Sequence, residues 1–291
     1  MTTHGKFTNK INSFNSFNSI NSAVNINATV TGDERRQILR WLSPLDPQQR
    51  HHAVRTNRFD GVGDWLLETS EFRKWSNSNS ESDQAVLFCY GNPGVGKTHL
   101  SSLVIDYLCD QAEGKDIAVA GLYCDFKDQQ EQSASSMLGA ILKQLVNRGE
   151  TPEHVQQAFQ KAKKEFGGRS LRLPDLVDIL KKTIALLPQV FICLDALDES
   201  APRTQLELFR SLQNIIRESP STRVFLTGRP HIRKEIEKRF SQAVMIPISP
   251  FQQDIQIFLE TSLDRDPEPD AMDDNLRTDI MRTIPTTISA M

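Results

Sequence analysis

Residues 91–98 read Gly-Asn-Pro-Gly-Val-Gly-Lys-Thr, and this stretch restricts the fold more than any other in the chain. The pattern G-x-x-x-x-G-K-[ST] wraps a phosphate only where a strand delivers the chain into it and a helix carries the chain away. Both flanks are legible. Ala85–Tyr90 (AVLFCY) is a short apolar run of the kind that forms a buried parallel strand, and Thr98–Gln111 has helical patterning. Gly91, Gly94 and Gly96 admit backbone conformations closed to other residues and let the chain approach a phosphate. Together with Asn92, Pro93 and Val95 they line up successive N–H groups as an anion nest. The start of the helix adds its positive dipole end. Lys97 brings a full charge for the β- and γ-phosphates, and Thr98 brings a hydroxyl for Mg²⁺. Gly91, Asn92, Pro93, Gly94, Val95, Gly96, Lys97 and Thr98 are therefore candidate nucleotide contacts, with Thr98 also a metal ligand.

A strand–loop–helix start calls for more of the same, and the chain supplies it. Further strand candidates are Ile117–Cys124, Val190–Leu194, Arg223–Thr227 and Ala243–Ile246. Helix candidates are Ser133–Asn147, Pro152–Phe166, Leu173–Leu187, Arg203–Arg217, His231–Phe240, Phe251–Leu263 and Asp270–Thr283, with Gly167-Gly168 breaking the second of these from the third. Such alternation implies an α/β P-loop NTPase: a parallel sheet of about five strands with helices on both faces. The nucleotide-binding core is expected over residues 81–250, followed by a helical segment over 251–291. Residues 31–80 form a helical leader. Asp33–Leu42 reads as a short helix with Asp33 as its cap and Pro44 beyond its end. Trp65, Leu66, Thr69, Phe72 and Trp75 place bulky residues at near-helical spacing, with Trp65, Phe72 and Trp75 expected in the core. Ser76–Gln84 is a polar loop.

The apolar run Val190–Leu194 ends in Asp195, Ala196, Leu197, Asp198 and Glu199. Carboxylates at the C-terminal end of a parallel strand lie where open α/β sheets bind ligands. Asp195 is the candidate Mg²⁺ partner, directly or through water. Asp198 and Glu199 are the candidates to complete the metal corner or to orient the attacking water, with Glu199 preferred for the water. Either could instead cap the following helix. A third strand end, Thr227-Gly228-Arg229-Pro230, places Arg229 where it can reach a γ-phosphate.

Composition narrows the function class. Lys and Arg number 34 against 37 Asp and Glu, a net charge of −3, which disfavours a general nucleic-acid binder. No apolar run approaches the roughly 20 residues of a membrane span, and the N-terminus lacks a secretory apolar stretch. The four cysteines, Cys89, Cys109, Cys124 and Cys193, show no CxxC spacing, which argues against a disulfide framework or zinc site and for a reducing, cytoplasmic setting. Residues 1–30 stand apart. Ile11–Ser22 is four tandem triplets of Ile or Phe followed by Asn-Ser, and the apolar period then shortens to two through Val24, Ile26, Ala28 and Val30. Asn/Ser-rich composition reads as a disordered tail, with an aggregation-prone stretch as the alternative, and only the second half fits a strand.

Taken together, GNPGVGKT, the acidic set D-A-L-D-E and the strand-end TGRP resemble the NACHT subgroup of STAND NTPases, signal-transduction ATPases that include innate-immune receptors. The stretches GDERRQILRWLSPLDP (Gly32–Pro47) and HHAVRTNRFDGVGDWLLETSEFRKW (His51–Trp75) are similar to fungal members of nephrocystin-like N-terminal type. The resemblance spans residues 32–285. It implies a five-stranded core with ATP or ADP and Mg²⁺ at the strand ends. Hydrolytic roles would fall on Asp195 with Asp198 or Glu199, and the γ-phosphate contact on Arg229. Arg58, Phe59 and Gly61 would line the base side of the nucleotide. It further implies a slow ATP-driven switch that signals by self-association or by association with related NACHT proteins. Similar proteins continue into winged-helix and repeat regions, so the chain ending at Met291 is expected to be a core truncated before them, with poor selectivity between ADP and ATP. A constitutive P-loop ATPase, or an interaction module with structural nucleotide, is the alternative.

Overall fold

All five apolar runs become strands of one sheet. The structure, a computed structural model, describes residues 32–77, 84–165, 171–265 and 272–289. The Asn/Ser tail, the Gly167-Gly168 break and most of the polar loop at 76–84 lie outside the described residues. Four short helices come first: α1 (Gly32–Leu42), α2 (Pro47–Thr56), α3 (Asp64–Glu68) and α4 (Ser70–Asn77). The core follows as β1 (Val86–Tyr90), α5 (Lys97–Ala112), β2 (Ile117–Tyr123), α6 (Ala134–Val146), α7 (Glu153–Lys164), α8 (Leu173–Ile184), β3 (Gln189–Asp195), α9 (Pro202–Glu218), β4 (Thr222–Gly228), α10 (Arg233–Arg239) and β5 (Val244–Pro247). Two helices close the chain, α11 (Gln252–Asp264) and α12 (Asp274–Ser289). Three single 3₁₀ turns, Phe126–Asp128, Leu197–Glu199 and Pro230–Ile232, sit just past the C-terminal ends of β2, β3 and β4.

The strand order is β2-β3-β4-β1-β5 and every pair is parallel. The strands are apolar throughout because both sheet faces are covered. Val86, Phe88, Ile192, Val224 and Leu226 pack on one side with α6, α8 and α9. Leu87, Cys89, Phe191, Cys193 and Phe225 pack on the other with α5. The leader divides between these faces. α1 buries Ile38 and Leu42 on the α6 side, and α2 to α4 bury Val54, Leu66, Phe72 and Trp75 on the α5 side. α1 lies so close to α6 that a Cβ on Gly139 would collide with the Leu42 carbonyl.

Four details depart from expectation. Asp33 is not a cap: it lies inside the first turn of α1 beside Glu34, where an acid favours the helix through the dipole. The helical spacing over 65–75 is broken at Thr69, whose backbone is extended (ψ 144°) and whose Oγ1 accepts the Phe72 N–H at 3.2 Å. One Thr thus ends α3 and caps α4. Phe72 and Trp75 are fully buried, with the Trp75 indole N–H donated to the Ala85 carbonyl at 3.2 Å, whereas Trp65 is half-buried. α2 has no counterpart in the sequence reading.

Cys89, Cys124 and Cys193 are buried and Cys109 is exposed. Burial raises all four thiols, the Cys124 thiol to about 12. A thiol-specific reagent at neutral pH is therefore expected to modify one cysteine, Cys109, in the native chain and all four after denaturation. Mass spectrometry of the labelled protein checks this, and early modification of Cys89 or Cys193 would contradict the packing on the α5 face. Among the described residues no helix is long and apolar enough to cross a membrane.

Candidate nucleotide-binding site

The strand order places the site. β4 lies between β1 and β3, so the glycine loop after β1, the acid end of β3 and the arginine after β4 meet at one edge of the sheet. The Gly91 N–H donates to the Gly228 carbonyl at 3.2 Å, which fixes the loop entrance against β4. A Cβ on Gly91 would collide with the Ile248 carbonyl, so close approach requires glycine there. Gly94 and Gly96 are glycines for a different reason. Their φ angles are 85° and 86°, in the left-handed region, while a Cβ on either would meet nothing within 4 Å. Between them Val95 is half-buried, and Asn92 and Pro93 are exposed. α5 starts at Lys97 with its free N-terminal amides at the loop.

The Lys97 ammonium donates to the carbonyls of Gly91 and Asn92, both at 2.8 Å. Burial holds its pKa below the ordinary lysine value, opposed mainly by the Asp198 and Asp195 charges. Two neutral carbonyls only partly replace the water it has lost, so an anion in the loop would find a cation in need of a partner.

Asp195 is buried and carries three hydroxyl donors. Thr98 Oγ1 donates to Oδ2 at 2.8 Å; Ser101 Oγ and Thr227 Oγ1 donate to Oδ1 at 2.6 and 2.7 Å. The Thr227 oxygen in turn accepts the Ala196 N–H at 2.9 Å. Ala196 has φ 52°, the one non-glycine residue with positive φ among those described. Strain of this kind at the end of a strand persists only where surrounding bonds hold it. Thr98 and Asp195, the two expected metal ligands, are thus in contact. Ser101 and Thr227 were not anticipated.

Asp198 and Arg229 form a second contact. Arg229 donates its backbone N–H to Asp198 Oδ1 at 3.0 Å, and its Nε lies 3.2 Å from Oδ2. Asp198 is only 4% exposed in its side chain, against 33% for Glu199 and 46% for Arg229. Glu199 accepts the Phe126 N–H at 3.3 Å and lies 3.9 Å from the Arg229 guanidinium. Neither acid caps α9, whose N-cap position is Ala201. Of the two, Glu199 has the accessible carboxylate and Asp198 the buried, ion-paired one.

The leader residues make their contacts with α5 and with the α11 segment. Arg58 donates to Ser102 Oγ at 2.9 Å and pairs with Asp106 at 2.8 Å, both on α5. It is close enough that, after burial, it is the main charge lowering the His99 imidazole pKa. Phe59 meets Phe258 edge-on at 5.3 Å, with Arg265 over its ring, and Gly61 (φ 81°) faces Ile257. Asp254 completes this junction by accepting the Gly63 N–H and the Trp65 indole N–H at 3.1 and 3.0 Å. α11 is therefore fastened to the leader.

The donor set fits a magnesium nucleotide. Mg²⁺ takes few protein oxygens and fills its octahedron with phosphate and water oxygens. Thr98 and Asp195 are the residues that would hold it. Among the described residues no three His, Cys, Asp or Glu side chains converge on one point, so the set suits a metal that arrives with phosphates. When bound, the ion supplies charge for the phosphate oxygens. The chain's own residues position the loop, Asp195 and Arg229 around that place.

Residues 61–229, more than half of the chain, match the family described as nephrocystin 3, N-terminal. The chain is similar to the vegetative incompatibility protein HET-E-1 of Podospora anserina, 27% identical over 169 residues. That match takes in 55% of this chain and 12% of the relative, so the chain spans only a small part of that protein's length. Among solved structures, AMPPCP-bound DnaA from Aquifex aeolicus is 16% identical with a TM-score of 0.39, covering 78% of this chain and 59% of that one. A DNA-bound Drosophila ORC structure is also 16% identical, with a TM-score of 0.46, covering 79% of this chain and 50% of that one. A five-stranded parallel sheet bearing a phosphate loop, together with the family match, makes this a nucleotide-binding P-loop NTPase module, and the chain belongs to the nephrocystin 3 N-terminal family.

Proposed function

We propose that this chain is the ATP-dependent core of a STAND-type signalling switch, acting in the cytoplasm and hydrolysing ATP slowly with Mg²⁺. The carrying observation is the Asp198–Arg229 pair at the strand ends. A γ-phosphate in the loop and the Asp198 carboxylate compete for one guanidinium. Exchange of one anion for the other is a two-state element, and ADP lacks the competing group. A ligand shifts such an equilibrium only by its preference for one state, and the γ-phosphate is the part of ATP that has this preference. The similarity to a protein named for vegetative incompatibility supports a signalling role. The partners inferred are further copies of this chain or related NACHT proteins. The 34 basic and 37 acidic residues give no excess of charge for nucleic acid.

Glu199 is the residue inferred to orient the attacking water, because its carboxylate is accessible while that of Asp198 is held by Arg229. Glu199→Gln is expected to bind ATP as the wild type does and to hydrolyse it about 100-fold more slowly, the lower end of what general-base removal costs. Single-turnover hydrolysis measured beside ATP affinity checks this, and unchanged turnover would move the role to Asp198. Mass measured in ADP and in ATP separates the switch from a constitutive ATPase: the switch assembles with ATP, the constitutive enzyme turns over at constant mass.

A further inference from the structure

β2 lies at the end of the sheet, paired with β3 alone. The Cys124 N–H donates to the Asp195 carbonyl across that seam at 3.0 Å. Backbone groups alternate in direction along a strand, so Ile117, Val119, Gly121 and Tyr123 turn theirs to the open edge. Two glutamines stand in for a neighbouring strand along the C-terminal half. Gln144 of α6 accepts the Gly121 N–H and donates to the Gly121 carbonyl, both at 3.0 Å. Gln132 accepts the Asp125 N–H and donates to the Tyr123 carbonyl, also at 3.0 Å. Among the described residues the N-terminal half has no such cover. Among the described residues, nothing bonds to the outward groups of Val119.

At that half the edge opens on a groove of about 990 Å³. One wall is α5 with part of α2 and mixes the apolar Ile105 and Ala112 with Cys109 and Asp110; the other, the end of α6 and the turn after it, is polar, with Gln144, Asn147 and Arg148. The outward residues of β2 direct their side chains to the α5 wall, since a Cβ on Gly121 would strike Ile105.

The chain carries a segment that matches this groove. Residues 24–30, outside the described residues, read Val-Asn-Ile-Asn-Ala-Thr-Val. As a strand they would present Val24, Ile26, Ala28 and Val30 to one wall and Asn25, Asn27 and Thr29 to the other. The triplets before them have period three and match no pleat. The tether is short. One residue separates Val30 from α1, and Arg35, one turn into α1, donates to the Asn147 carbonyl at 3.1 Å, in the groove's polar wall. An uncovered edge is a template for another chain's strand, and an alternating Asn-rich segment is such a strand. We propose that residues 24–30 add to the open edge of β2 as a sixth strand, bonding to Val119 and Ile117 and filling the groove.

Hydrogen exchange on the full chain tests this. Peptides covering residues 24–30 and 115–120 are both expected to exchange at least tenfold more slowly in the wild type than in a variant carrying Val24→Asn, Ile26→Asn and Val30→Asn. Alkylation of Cys109 should be several-fold slower in the wild type as well. A second variant, Val119→Pro, removes one outward N–H and leaves the bonds to β3 in place, as proline on an edge strand does. It should release residues 24–30 while ATP affinity stays at the wild-type value. Equal exchange at 115–120 in wild type and triple variant would overturn the proposal, as would protection of 24–30 with 115–120 open. Protection that grows with protein concentration would assign the edge to the tail of a second copy and overturn it too.

Discussion

Lys97→Ala is expected to weaken ATP binding by about 10- to 150-fold and to leave the unfolding temperature nearly unchanged. The two halves of this expectation have separate causes. The ammonium meets two carbonyls at the loop mouth, the bond to Asn92 exposed and that to Gly91 part-buried. Water can replace the lost donor there, so little stability depends on it. Against a triphosphate the same group makes a charge-assisted contact worth roughly 1.5–3 kcal/mol, which sets the fold-change. The remaining nest of amides and the α5 dipole hold phosphate weakly without it. Calorimetric titration with Mg-ATP, beside a thermal melt of the same sample, reads both quantities. Wild-type affinity in the variant would remove the loop from the nucleotide site. A large fall in melting temperature would show instead that Lys97 holds the loop together, and would make any affinity loss uninformative about phosphate.

The parts of the fold that were legible are those in which one residue type has one physical use. Strands covered on both faces must be apolar throughout, so all five were visible as runs, each placed within two residues of its observed ends. The glycine loop was visible because left-handed backbone at 94 and 96 and close approach at 91 leave no other residue to choose. α2 was invisible for the opposite reason. Its sequence PQQRHHAVRT buries little beyond Pro47 and Val54, and two of its side chains, His51 and Arg55, serve pairs that only the tertiary structure reveals. His51, Arg55 and Arg58 all meet Asp106 on α5, with His51 also bonded to the Tyr123 hydroxyl at 2.7 Å. The hydroxyls around Asp195 were missed likewise. Ser101 lies three residues beyond Thr98, one helical turn on, and Thr227 is the last residue but one of β4, the strand beside β3. Serine and threonine at such places have many uses, and nothing local marks this one. For Asp198 and Arg229 the residues were found from sequence, but their pairing was not, because it depends on β4 inserting between β1 and β3.

Asp195→Asn is expected to leave the fold intact and to abolish the benefit that Mg²⁺ gives to ATP binding. The substitution is nearly isosteric. The amide oxygen can still accept from Ser101 and Thr227, whose donors lie 2.6 and 2.7 Å from Oδ1. The amide nitrogen then faces Thr98, whose hydroxyl is free to rotate and accept instead of donate. Each buried polar atom keeps a partner, so stability changes little. The negative charge, however, is gone. If Asp195 is the Mg²⁺ partner, metal affinity should fall by about 10- to 100-fold, the range seen when the support of a metal site is removed. ATP should then bind the variant alike with Mg²⁺ and with a chelator. Asp195→Ala serves as the contrast. It strips three buried or half-buried hydroxyls of their acceptor at once, at a cost of about 1–3 kcal/mol for each one left unsatisfied. Its melting temperature should drop where that of Asp195→Asn does not. A wild-type response to Mg²⁺ in Asp195→Asn would mean that the carboxylate serves as an anchor for the three hydroxyls, and that the metal is held by Thr98 and the phosphates alone.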